Sequence, residues 1–371
     1  MIKMTKLEKL YLQFNPKLGL PAELLGDENE ITRDTKSSNH IPLEILEFYF
    51  RVRENGSPLN EAKLILVGRG AVGKTSLVNR LVYGKFNPGE SKTPGIKIDK
   101  WEIKLDGSEK VSLNVWDFGG QEIMHATHQF FLTERSLYLL VLNGREGAED
   151  SDAEYWLKLI DSFGGKSPVI IVLNKISEHN FDLNRGALLQ KYPNIRDFVK
   201  TDCEDEIGIE ELSSVIKRET NALDELRVGF PSEWFAVKDR LSNMKENYLS
   251  FQEYRKICKK NKVSKGQHQE MLAKYLNQLG IVLNFKDDPR LRDTHVLNPH
   301  WVTGGIYKLL NSPFLVERKG EIRLSEVSEV LPEEDYPSEM HRFIFDLMKK
   351  FYLCFSFPED ENHYLIPELL S

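Results

Sequence analysis

The run Gly68, Arg69, Gly70, Ala71, Val72, Gly73, Lys74, Thr75 has the spacing GxxxxGK[ST], and its residue types suit the gripping of a phosphate chain. Glycines let the backbone curl so that successive N–H groups face an anion. The lysine supplies a cation at the β- and γ-phosphates, and the threonine hydroxyl is a ligand for Mg²⁺. The candidate phosphate contacts are therefore Gly68, Gly70, Ala71, Val72, Gly73, Lys74, Thr75 and Ser76. An apolar run at 64–67 precedes the loop and a helical pattern at 76–83 follows it, so the positive end of a helix would meet the same anion. Chance produces this pattern in roughly one chain in a hundred of this length before those flanks are demanded, which makes a plain glycine turn the weaker reading.

A second run, Asp117, Phe118, Gly119, Gly120, Gln121, Glu122, ends a predicted strand at 113–116. Asp117 at the strand end is placed to hold Mg²⁺ with Thr75, and Gly120 offers a bare backbone N–H to a γ-phosphate. Gln121 is the candidate catalytic residue, an amide that orients an attacking water. The bland alternative is a strand-ending glycine turn, and the loop upstream weighs against it.

These groups need a sheet edge to hold them. Strands are predicted at 63–68, 100–104, 112–117, 136–143, 168–174 and 198–201, with helices after Lys74, Gln121, Asp152, Asp182 and Gly208. Such alternation over 61–226 is that of an α/β domain, a parallel sheet wrapped by helices. Past Phe230 and Pro231 the pattern turns to α+β. Helices at 250–259 and 266–279 precede strands at 281–285 and 294–297, and helices at 325–330 and 337–351 precede strands at 353–357 and 363–366. Each set predicts a winged-helix-like unit, two helices and a two-stranded wing. Upstream, the leucines of 6–25 have the spacing of one leucine-rich repeat, which cannot bury its own face alone. A polar linker follows at 26–41, then an amphipathic helix at 43–53 that docks on the next domain. The expected domains are thus 1–25, 26–58, 59–228 and 229–371.

With 371 residues of which 40% are hydrophobic, the chain can fill two or three packed cores. Fifty Lys and Arg against 57 Asp and Glu give a net charge of −7, which argues against wholesale binding to nucleic acid or an anionic membrane. Cys203, Cys258 and Cys354 are isolated and odd in number. Neither a disulfide framework nor a CxxC metal site is indicated, and a reducing, cytoplasmic setting is expected. No run approaches the roughly 18 apolar residues of a membrane span.

The loop and the 117–121 run together resemble the Ras-like small GTPases. The resemblance implies that Thr93, in the loop 86–95, joins the Mg²⁺ shell when a γ-phosphate is present. It further implies that Phe86 sets its edge on the base and that Asn174 and Lys175 recognise guanine. There the chain departs from the pattern, since the family has Asn-Lys-x-Asp, whose carboxylate accepts the guanine N1 and N2 protons, and this chain reads Asn174, Lys175, Ile176, Ser177. Losing that charge-assisted pairing lowers selectivity for guanine over adenine by roughly ten- to a hundredfold unless Glu178 or water substitutes. Residues 201–204 occupy the place of the family's Ser-Ala-Lys turn, where Cys203 would offer its backbone N–H to guanine O6.

A narrower resemblance is to the Roco proteins, in which a Ras-like Roc domain is followed by a COR domain and often preceded by leucine-rich repeats. It is carried by the leucine-rich start, the lead-in Leu59-Asn60-Glu61-Ala62-Lys63, the run His125-Ala126-Thr127-His128-Gln129-Phe130-Phe131, Trp156-Leu157, and Leu297-Asn298-Pro299-His300-Trp301-Val302-Thr303. It implies a molecular switch that hydrolyses GTP to GDP and phosphate, with nucleotide-dependent packing of Roc on COR and a nucleotide-dependent homodimer. Arg69, Arg145, His125 or His128 would assist Gln121. In that family COR has two halves, and this sequence matches the first without the mainly dimerising second, so stable dimerisation in the GDP state is not expected. Rival readings are a nucleotide-binding scaffold without hydrolysis, with ATP admitted by Ser177, and a winged-helix nucleic-acid binder using Arg255, Lys256, Lys259, Lys260, Lys262 and Lys265 near His268. Against the last, a lysine run at a helix end is more commonly a solvated face that complements the dipole. No motif specifies a downstream protein partner.

Overall fold

The computed structural model describes residues 18–21, 24, 42–91, 93, 95–105, 109–119, 129–145 and 149–370. Most of the leucine-rich segment, the linker 26–41, and Gly120, Gln121, His125 and His128 lie outside the described residues.

The described chain starts its regular structure with helix α1 (Pro42–Asn55) and strand β1 (Gly56–Pro58). A six-stranded sheet follows, built from β2 (Glu61–Val67), β3 (Ile96–Lys104), β4 (Lys110–Phe118), β5 (Ser136–Leu142), β6 (Val169–Asn174) and β7 (Ile195–Thr201), in the order β3-β4-β2-β5-β6-β7. Strands β5 and β6 are buried along their whole length, as expected of apolar runs covered on both faces of a parallel sheet. Helix α2 (Lys74–Tyr83) follows β2, α3 (Glu149–Gly164) and α4 (Arg185–Lys191) make the parallel crossovers from β5 to β6 and from β6 to β7, and α5 (Ile209–Asn221) follows β7. The sheet is mostly parallel, with β3 alone running antiparallel, to β4. Only residues 105–109 join them, closed by Leu105 N–H donating to Glu109 O at 2.9 Å, and a parallel crossover needs a dozen residues or more.

The C-terminal region is α+β. It runs β8 (Gly229–Pro231), α6 (Ser232–Ser242), β9 (Tyr248–Ser250), α7 (Phe251–Lys260), α8 (Gly266–Gln278), β10 (Thr294–Val296), α9 (Pro299–Leu310), α10 (Pro313–Glu317), β11 (Glu321–Arg323), a 3-10 turn (Leu324–Glu329), α11 (Ser338–Lys350), β12 (Phe355–Phe357) and β13 (Asp360–Leu365). Helix α7 starts where Ser250 and Glu253 form a reciprocal capping box, and α9 starts at the Asn298 cap with Pro299 in its first turn. The two predicted units exist but differ from the expected wings. In the first, 281–285 reduces to the single bridge Leu283 to Val296, and β10 pairs with β9. In the second, the predicted helix at 325–330 is a 3-10 turn and β13 pairs on both sides, with β11 and β12. Each unit is therefore opened by a strand, β9 or β11, that pairs back on its last strand. Of the basic cluster, Arg255 is ion-paired with Glu270 at 3.8 Å and Lys265 with Glu47.

Helix α1 docks, though not on the sheet that follows it in sequence. Strand β1 pairs antiparallel with β8, Gly56 opposite Pro231, and this holds the end of α1 beside the C-terminal region. Phe48, fully buried, meets Trp234 at 5.2 Å and His268 at 5.7 Å between ring centroids. Leu20 and Leu24 join the same core, and Gly229 N–H donates to Gly19 O at 2.9 Å. Among the described residues, no helix is long and apolar enough to cross a membrane, and all three cysteines are free and buried.

Candidate functional site

Strand β2 delivers the chain to the phosphate loop, and two glycines there have no substitute. Gly68 has φ +140°, and a β-carbon on it would run into Val141 O. Gly73 has φ +97°, and a β-carbon on it would run into the Asn174 amide. Ala71 is held at φ +61°, a left-handed conformation that costs roughly 1–2 kcal/mol outside glycine, so the loop stores strain at its tip. Helix α2 begins at Lys74 with no side-chain cap and no acidic residue in its first turn. Its N-terminal N–H groups are left for an anion to satisfy.

Lys74 is buried and donates to Gly68 O at 2.8 Å and Arg69 O at 2.7 Å. Two of its three N–H bonds thus fold the lysine back over its own loop. Burial lowers its ammonium to about 8, with Asp117 pulling the other way. Thr75 Oγ1 donates to Asp117 Oδ2 at 2.6 Å and lies 2.7 Å from Thr93 Oγ1. The other Asp117 oxygen, Oδ1, is buried with no hydrogen-bond partner among the described residues. Two hydroxyls and a carboxylate with an orphaned oxygen fit a hard cation of the Mg²⁺ type, which takes oxygen ligands and leaves its other positions to water and phosphate. Thr75, Thr93 and Asp117 would hold it.

A second group gathers around Asn174. Its Nδ2 donates to Val72 O at 2.8 Å, and its Oδ1 accepts from Thr201 Oγ1 at 2.9 Å. One amide thereby ties the phosphate loop to the loop after β7, where Cys203 is buried. Burial pushes the Cys203 thiol up to about 12, so it stays protonated and contributes packing. A cavity of about 410 Å³ joins the two groups, lined among others by Gly70, Ala71, Gly73, Lys74, Thr75, Ser76, Phe86, Thr93, Asn174, Lys175 and Cys203. Gly68 and Val72 do not line it, and their carbonyls serve as the anchors for Lys74 and Asn174 just described. Arg69 is ion-paired with Asp152 at 2.7 Å and Arg145 with Glu178 at 3.5 Å, which engages both arginines expected to assist Gln121.

Sequence reasoning missed Arg80. From the last turn of α2 its Nε donates to Cys203 O at 2.6 Å, Nη1 pairs with Glu206 at 2.7 Å, and the guanidinium lies 5.3 Å from the Phe86 ring centroid. Its hydrogen-bond partners are more than a hundred residues away, so no local pattern marks it. Asp202 is buried and lines the cavity beside Cys203, and no spacing in the sequence separates its role from that of its neighbour.

The sheet also couples this site to the C-terminal region. Strand alternation sends Trp116 and Phe118 to the face opposite Val115 and Leu113, where they pack in one continuous core with Trp301, Phe351 and Leu283. Phe130 meets Phe351 at 4.5 Å between ring centroids. Lys63, fully buried and lowered to about 7 by that burial, donates to Phe131 O at 2.7 Å and sits 4.2 Å from the Trp116 ring. Gly119 N–H donates to Gly95 O at 2.7 Å, so the backbones on either side of Asp117 and Thr93 are bonded together.

A family model described as "Ras of Complex, Roc, domain of DAPkinase" matches residues 63–177, and one described as "C-terminal of Roc, COR-A domain" matches 231–370. The solved structure of Methanosarcina barkeri Roco2 RocCORdC bound to GDP is 47% identical, with a TM-score of 0.81, covering 87% of this chain and all of that one. The chain belongs to the Roco family. Its Ras-like Roc domain is followed by an α+β COR domain. Among curated Roco relatives, the Roc-COR-CHAT protease of Runella zeae is 29% identical over 388 residues, 98% of this chain and 40% of the relative. Leucine-rich repeat serine/threonine-protein kinase 1 of Mus musculus is 23% identical over 425 residues, 98% of this chain and 21% of the relative. The chain thus spans less than half the length of these curated relatives.

Proposed function

We propose that this chain is a GTP-binding switch that hydrolyses GTP to GDP and phosphate, and whose nucleotide state sets the packing of Roc (59–228) on COR (229–371). The observation that carries the reading is the convergence of Lys74, Thr75 and Thr93 on one cavity with Phe86, Asn174, Lys175 and Cys203, with Asp117 bonded to Thr75 behind it. The GDP bound to the Roco2 relative supports guanine as the base. Backbone N–H groups of the loop and the Lys74 ammonium take the phosphates, and Mg²⁺ held by Thr75, Thr93 and Asp117 would offset charge on the β- and γ-oxygens.

Hydrolysis in this reading is positioning and charge stabilisation rather than covalent catalysis. A water held by the Gln121 amide attacks the γ-phosphorus, the bond to the bridging oxygen breaks, and GDP and phosphate leave. Thr93 and Gly120 follow the γ-phosphate, and their release passes to COR through Gly95, Trp116 and Phe130. A GTP-dependent homodimer and a cytoplasmic setting, the latter in keeping with three free buried cysteines, complete the proposal. Single-turnover assays in Mg²⁺ with GTP and ATP test it. Phosphate release from GTP, lowered at least about tenfold by Gln121→Leu at unchanged affinity, is the expected result. Binding without turnover in the unchanged protein would reduce the chain to a scaffold.

A further inference from the structure

Guanine presents two adjacent donors, N1–H and N2–H, where adenine presents an acceptor nitrogen, so a guanine-selective site needs an acceptor-only group at that edge. Ser177 does not supply one. Its hydroxyl donates to Asp205 Oδ2 at 2.7 Å and the residue is exposed. Glu178, the other replacement weighed from sequence, lines the cavity but its carboxylate is drawn to Lys175 at 3.6 Å and Arg145 at 3.5 Å.

Asp202 is placed differently. It is 6% exposed and lines the cavity together with Asn174, Lys175 and Cys203. Its Oδ1 accepts from the backbone N–H of Glu204 at 2.9 Å and of Asp205 at 3.3 Å, and its Oδ2 accepts from Ser177 N–H at 3.2 Å. A carboxylate offers about four lone-pair sites, so three backbone bonds fix its orientation and leave Oδ2 able to accept once more. Residues 177 and 202 are joined by that Ser177 bond. Where the Ras-like pattern has acid at the first and hydroxyl at the second, this chain has the reverse.

We propose that Asp202 is the residue that selects guanine, its Oδ2 accepting a base N–H in place of the acid missing at 177. The inference rests on the guanine-nucleotide reading above. Ser177 then acts as a positioning residue, its backbone N–H holding the carboxylate toward the base.

The test is calorimetric titration of GDP, ADP and xanthosine diphosphate in Mg²⁺ into the full chain, as the unchanged protein, Asp202→Asn, and the exchanged pair Ser177→Asp with Asp202→Ser. Asparagine should lower GDP affinity by about tenfold or more, the worth of one charge-assisted hydrogen bond, and leave ADP unchanged. It should raise affinity for xanthosine diphosphate, because its amide N–H now meets the xanthine C2 carbonyl. The exchanged pair should return GDP affinity to within about threefold of the original, since it restores a carboxylate to the same contact. GDP affinity unaltered by asparagine would overturn the inference, as would an equal fall for GDP and ADP with no gain for xanthosine diphosphate, the signature of a merely structural carboxylate. If Asp202→Asn does not fold, the exchanged pair decides alone: retained GDP preference supports the proposal and its loss overturns it. A wild-type protein that binds GDP no better than ADP sinks the guanine reading itself. A wild type that prefers GDP, with an indifferent Asp202→Asn, sinks only the role of Asp202.

Discussion

Gly280 of COR lies against the indole of Trp116 of Roc so closely that a β-carbon on Gly280 would run into the ring. Gly280 has φ +74°, and Trp116 immediately precedes Asp117 on β4. The contact therefore joins the Roc–COR seam to the strand that carries the proposed Mg²⁺ ligand. Gly280→Ala adds a left-handed alanine, costing about 1–2 kcal/mol, and overpacks a full core, costing about 1–3 kcal/mol more. Thermal unfolding should show a loss of about 2–5 kcal/mol, and tryptophan emission should shift to the red as Trp116 is displaced.

Arg80 predicts a kinetic effect. Its guanidinium holds the Cys203 carbonyl and Glu206 and covers Phe86, so Arg80→Ala frees both sides of the proposed base site. Dissociation of a fluorescent GDP analogue, followed by stopped flow, should quicken about tenfold, the worth of one hydrogen bond from a charged group. The phosphate loop is untouched by the change, so residual binding should still depend on Lys74.

Metal removal is the third case. If Thr75, Thr93 and Asp117 hold Mg²⁺ with the nucleotide as proposed, chelation by EDTA should lower GTP affinity about tenfold or more in the original protein. Thr75→Val should bind GTP weakly from the outset and respond little to EDTA. Equal sensitivity of the two proteins would remove Thr75 from the metal site.

A pH prediction follows from His295. It is fully buried, its ring stands 4.8 Å from that of Tyr254 and 5.4 Å from that of Phe251, and neither ring nitrogen has a hydrogen-bond partner among the described residues. Burial lowers it from the ordinary 6.5 to about 4. The unfolded chain therefore binds the proton first as pH falls through 6.5, and stability drops from there until the folded-state value near 4 is reached. Between pH 7 and pH 5 this group should cost about 2 kcal/mol. Urea denaturation at the two pH values should give His295→Leu a shallower loss by about that amount.

The sequence made the phosphate loop legible because its chemistry is local: spacing, glycine and one flanking strand and helix suffice. The six sheet strands were legible for the same reason, as apolar runs between turns. The antiparallel sense of β3 was available too, since residues 105–109 are too few for a crossover. Strands β9 and β11 went unread because three residues carry no periodicity. Arg80 and Asp202 went unread because their roles arise from loops brought together by the sheet, and Asn174 binds Val72 and Thr201 across the same distance. The docking of α1 was anticipated but its partner was not, because β1 pairs with a strand more than 170 residues later.

In the proposed function, the cavity binds guanine nucleotide through Lys74 and the groups around Asn174. Competition against a bound fluorescent GDP analogue in Mg²⁺ tests it most directly. Displacement by GDP and GTP is expected at concentrations at least about tenfold below those needed for ATP, with no binding left in Lys74→Ala. Equal displacement by ATP, or a Lys74→Ala protein that binds the analogue as tightly as the original, would contradict it.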